Sequence, residues 1–100
     1  MIVVNAIIES TDSDIAAMKE SISEMETHSR REAGCNDYTF SVEISNPNVI
    51  RVTEQWEDMA ALAAHFAEPH MAVFQQAIAA NPPKSVSATF YEATEVSGPG

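Results

Sequence analysis

Three observations in the 100-residue sequence predict an α+β fold built on a four-stranded antiparallel sheet. Apolar residues alternate without a fault along "YTFSVEI", setting Tyr38, Phe40, Val42 and Ile44 against Thr39, Ser41 and Glu43, as in a strand with one dry face. Ile15, Met18, Ile22 and Met25 recur at helical spacing. Such stretches follow one another as β, long α, β, β, two short helices, β, which is the split βαββαβ order of ferredoxin-like folds.

Each element has its own signal. "IVVNAII" is β-branched and apolar on both faces, with only Asn5 interrupting it, and reads as the first strand. "STDSD" offers N-caps to one amphipathic helix running to about Arg31, and Gly34 is the expected stop. After "YTFSVEI", "SNPN" reads as a turn, and "VIRVTEQW" then sets Ile50, Val52, Glu54 and Trp56 opposite Arg51, Thr53 and Gln55 to complete a hairpin. Asp58 can cap a helix carrying Leu62, His65 and Phe66, Pro69 suits the first turn of the next, and the prolines at 82 and 83 end it. "SVSATFYEA" reads as the last strand and "SGPG" as a loose tail. With helices on one face, the other face of the sheet, bearing Asn5, Thr53 and Gln55 beside apolar residues, needs a cover, and a two-fold partner would provide it.

Composition narrows the function. Five Lys and Arg against fifteen Asp and Glu give a net charge of −10, which repels phosphate backbones, so nucleic acid is not an expected partner. No run approaches the roughly 20 apolar residues of a membrane span, and "MIVVNAIIES" has no basic segment of a secretory signal, so a cytoplasmic protein is expected. The single cysteine, Cys35, makes no internal disulfide and stands away from any helix N-terminus that would activate it. Three glycines leave no phosphate-cradling loop or dinucleotide fingerprint. The five methionines fall mostly at core spacing.

The chemistry-bearing candidates lie in "WEDMAALAAHFAEPHMAVF". His65 and His70 are five residues apart with Pro69 between them, unlike an i, i+4 metal pair. A metal site would also need His28, or a carboxylate such as Glu54 or Glu68, so none is expected. His70, in a helix's first turn, can bond local backbone. His65 follows Leu62 on the same side of a short helix and points inward or to the core's edge. Glu54 shares an apolar strand face with Trp56, and a buried carboxylate there needs a partner: His65, Arg51 or the phenol of Tyr38.

"EAGCNDY" after a helix, "EQWED" closing a strand, "ALAAHFAEPHMAVF" directly after it and a final aromatic strand resemble the antibiotic biosynthesis monooxygenase domain family, and within it the small bacterial quinol monooxygenases. The resemblance covers residues 1 to 93 and leaves 94 to 100 as a flexible tail. It implies a dimeric α/β barrel of ferredoxin-like subunits and an enzyme that oxygenates a small aromatic substrate with dioxygen and no cofactor. In that frame His65, beside Glu54, is the candidate base. Trp56 and Phe66 would be walls, Tyr38 and Asn5 would orient substrate oxygens, and His70 would shape the rim. A haem-degrading branch uses a first-strand Asn with a helical Trp and His. Asn5 matches the first, but the other two positions hold His65 and Gln75. The same dimeric fold can also serve as a non-catalytic module that binds an aromatic molecule or plays a stress or regulatory part.

Overall fold

The computed structural model describes all 100 residues. Its elements run β1 (Ile2–Glu9), α1 (Asp12–Ala17), α2 (Lys19–Arg30), β2 (Cys35–Glu43), β3 (Asn46–Trp56), α3 (Met59–Phe66), α4 (Pro69–Ala80) and β4 (Ser85–Glu92). The strands form one antiparallel sheet in the order β2-β3-β1-β4, so the predicted ferredoxin-like α+β fold is present. No helix is long and apolar enough to cross a membrane.

Strand register decides which side chains meet the helices. Ile2, Val4, Ala6 and Ile8 stand opposite Trp56, Glu54, Val52 and Ile50, and Tyr38 and Phe40 stand opposite Glu54 and Val52. Cross-strand partners share a face. On this face the buried strand residues join Met18, Met25, Leu62, Met71 and Phe74 in one core cluster. The opposite face carries Val3, Asn5 and Ile7, paired with Gln55, Thr53 and Arg51, and no helix covers it. Every residue of β4 is exposed.

Three local expectations change. The first helix is two, because Met18 adopts φ −93° and ψ 0° and its N–H reaches both Asp14 and Ile15 carbonyls, at 3.0 and 3.1 Å. The apolar stripe survives the break, since Met18 and Met25 are both in the core. Gly34 does not end α2, which closes at Arg31; it sits three residues later, at φ +82°, leading into β2. An added Cβ there would lie 2.7 Å from the Ala61 side chain, so both the backbone and the approach of α3 require glycine. The hairpin turns at Ile44 and Ser45 rather than at "SNPN". Asn46 already pairs with Glu43 across an irregular register, and Asn48 accepts from the Asp12 N–H at 2.8 Å, which holds the start of α1.

Candidate active site

The chain reverses twice to build one buried cluster. Asp58 accepts from Ala61 N–H at 2.8 Å and starts α3 directly after β3. Eight residues later the helix ends, having turned Leu62 and His65 inward. Pro69 then opens α4, and His70 enters from its first turn. Trp56 is 0% exposed and His65 1%, with their rings 4.7 Å apart. Tyr38, also buried, lies 5.3 Å from His65 and 6.4 Å edge-on from Trp56.

Glu54 has a partner that strand alternation did not suggest. The Trp56 indole N–H donates to Glu54 Oε1 at 3.0 Å, within the same strand face. Burial pushes the Glu54 carboxyl above its ordinary 4.5 and Glu32 adds to the rise, against the opposing effects of the indole N–H and His65. Burial first, then Glu54 and Glu32, drives the Tyr38 phenol well above its usual range, so it stays a hydrogen-bond donor at neutral pH. The same causes push the Cys35 thiol up to about 11, which keeps it an unreactive thiol.

The residue that organises the cluster is Glu32, which was not a candidate from sequence. His65 Nδ1 lies 2.7 Å and His70 Nε2 2.8 Å from the same oxygen, Glu32 Oε2. A carboxylate oxygen accepts, so each ring donates. His70 therefore bonds a remote carboxylate instead of local backbone. The two histidines, mismatched on a single helix, converge because the chain breaks between α3 and α4. Glu32 is in the connection after α2, where no periodicity marks a side chain as inward. The usable signal was an acidic residue two positions before a glycine that reverses the chain.

In the neutral ring, donation from Nδ1 leaves a lone pair on His65 Nε2, and that atom is buried with no hydrogen-bond partner. A fixed tautomer with a free, dry acceptor nitrogen is what a general base requires.

Two of the expected site residues stand apart from this cluster. Asn5 is exposed on the helix-free face, because strand alternation turns Val4 rather than Asn5 toward Glu54. Phe66 is 54% exposed and touches His65 only edge-on, since the short helix spends its inward turns on Leu62 and His65. Trp56, Tyr38 and His65 themselves form packed core. The open apolar space lies farther along the sheet, a cleft of about 230 Å³ between α1, α2 and the β2–β3 hairpin, with Ile15, Ile22, Phe40 and Ile50 among its walls. Phe40 links the two regions, 5.7 Å from Tyr38 and 5.5 Å from Phe74.

The family model described as antibiotic biosynthesis monooxygenase matches residues 1–77. A candidate antibiotic biosynthesis monooxygenase from Deinococcus radiodurans superposes with a TM-score of 0.89 at 23% identity, over 98% of this chain and 97% of that one. A second such candidate, from Nitrosomonas europaea, gives 0.88 at 18% identity over 95% and 100% of the two chains. Rv0793 from Mycobacterium tuberculosis gives 0.84 at 18% identity over 97% and 98%. At these identities the likeness is one of fold. No curated protein matches by sequence.

Proposed function

The chain belongs to the antibiotic biosynthesis monooxygenase family, and from that premise we propose that it is a monooxygenase whose substrate is a hydroquinone or similarly electron-rich phenol, oxidised by dioxygen. The observation that carries the proposal is His65: a buried imidazole, oriented through Nδ1 by Glu32, with Nε2 unpartnered among the rings of Trp56 and Tyr38.

A phenol yields an electron to dioxygen far more readily as its anion. His65 Nε2 takes the phenolic proton, and Glu32 opposite Nδ1 stabilises the imidazolium that results. For a hydroquinone the balance closes without another reductant. One oxygen atom enters the ring, the other leaves as water, and the substrate loses four electrons on becoming a hydroxyquinone. Tyr38, held protonated, can donate to a substrate oxygen, and the dry surroundings of Nε2 favour proton transfer over hydration. Because the rings of Trp56 and Tyr38 pack closely on His65, a substrate reaches Nε2 only once one of these neighbours moves.

Oxygen uptake by metal-free protein over a panel of quinols tests this. Uptake should scale with protein, and His65→Ala should lower kcat/KM by roughly 10²–10⁴, the usual worth of a positioned base. Unchanged oxidation by that variant would remove His65 from the role. A second function class is favoured by one observation: the open cleft between α1, α2 and the hairpin is walled mainly by Ile15, Ile22, Phe40 and Ile50, and Lys19 is the one ionisable side chain along it, with no histidine or carboxylate. A molecule seated there would be bound without being changed. Flat oxygen traces with saturable quenching of Trp56, the only tryptophan, would establish that binding module instead.

A further inference from the structure

Glu32, His65 and His70 come from three separate segments, the α2–β2 connection, the end of α3 and the start of α4. One oxygen and two nitrogens, Glu32 Oε2, His65 Nδ1 and His70 Nε2, lie within 4.8 Å of one another. We propose that this triad is a binding site for a divalent first-row transition cation, of which Zn2+ and Co2+ are the test ions.

Donor chemistry selects the class. Two imidazole nitrogens and one carboxylate oxygen suit zinc, cobalt and their neighbours and offer too few oxygens for Mg2+ or Ca2+. The distances are compatible with modest movement. Ligands about 2.0–2.1 Å from a tetrahedral ion stand roughly 3.3 Å apart, against 2.7 and 2.8 Å between Glu32 and the two rings. Withdrawing the carboxylate by about half an ångström makes room, and Glu32 stands in a connection rather than in a helix or strand, while the two ring nitrogens, no more than 4.8 Å apart, close toward the same spacing by a shift of the partly exposed His70.

The surroundings hold the ligands in place, as metal sites require. His65 is wedged between Trp56 and Tyr38, and His70 stacks on His28 with ring centroids 5.5 Å apart and planes at 19°. The site has an access route. A groove of about 390 Å³ between α2 and α4 reaches His70, and Glu24, Glu68 and His28 also line it. Two carboxylates at the mouth of a chain with net charge −10 draw cations inward. The groove can also supply water to the remaining coordination positions.

Occupancy has a consequence for the chemistry proposed above, and only this consequence rests on that proposal. An ion on Nδ1 places the ring proton of His65 on Nε2, where the base needs a lone pair, so the loaded protein and the proton-accepting protein are different states.

Calorimetric titration of chelator-treated, desalted protein with Zn2+, together with the visible absorption of the Co2+ form, tests the site. One ion per chain should bind with Kd at or below about 1 μM, a standard binding free energy near −8 kcal/mol, while Mg2+ should give no heat. Glu32→Gln and His70→Ala should each weaken binding at least tenfold, with circular dichroism confirming that both variants fold. In wild-type protein labelled at histidine, Zn2+ must shift the 15N signals of His65 Nδ1 and His70 Nε2, so damage to a variant's fold does not leave the question open. Absence of saturable binding, or binding that leaves those nitrogens unmoved, overturns the site. Zn2+ that binds there yet leaves quinol oxidation undiminished would spare the site and remove His65 as the base.

Discussion

Burial of the Glu54 carboxyl gives this protein's stability a dependence on pH. Burial holds the Glu54 carboxyl above its ordinary 4.5, so the folded state keeps its proton more firmly than the unfolded chain. The stability this group contributes is present below that ordinary value and is lost as pH rises through the folded one. Glu54→Gln, whose amide oxygen can still accept from the indole, should raise the melting temperature at pH 7 and lose that advantage as the buffer approaches pH 4.5. A gain that is equal at both pH values would show that the carboxyl does not titrate as described. Cys35 offers a second residue-level check. With its thiol pushed up to about 11, iodoacetamide should modify it slowly at pH 8 and progressively faster toward pH 11. At this scale alternation showed that Glu54 and Trp56 share a face, and helical spacing that His65 points inward. Glu32 stayed invisible, because its position depends on a chain reversal that has no period.

At the level of elements, α3 depends on two residues outside it. Asp58 caps its first turn, so Asp58→Ala should cost about 1 kcal/mol in urea unfolding. Gly34 allows the close approach of Ala61, one helical turn before His65. Gly34→Ala combines a left-handed backbone with a contact of 2.7 Å and should cost about 1–3 kcal/mol or more. Because α3 must retreat, it should also change Trp56 emission in the folded state, which a purely local backbone cost would not. All predicted strands were legible because alternation and β-branching report directly on a half-buried sheet. Boundaries were less so. Met18 remains on the apolar stripe while leaving helical dihedrals, so periodicity passes straight through the break, and Asn46–Asn48 carry turn composition yet pair as strand.

The whole molecule leaves one side of its sheet and all of β4 without cover. Val3 and Tyr91, neighbours across β1 and β4, place apolar surface on that side, as does Ile7, while Val86 and Phe90, paired with Ile8 and Val4, are exposed on the helix-bearing face at the β4 edge. We expect the protein to sediment as a dimer of its 10.9 kDa chain at micromolar concentration and Tyr91→Glu to shift it to monomer. A wild-type sample containing monomer alone would remove the dimer. Overall topology followed from the order of elements, whereas what covers the open face depends on surfaces that no local period encodes. Within the single chain, the sharing of one Glu32 oxygen by two histidines also constrains inheritance. Loss of Glu32 strands one buried donor and one partly buried one, and loss of either histidine leaves that carboxylate with an unfilled side. The three positions should therefore change together across related lineages, disappearing as a unit and seldom one at a time.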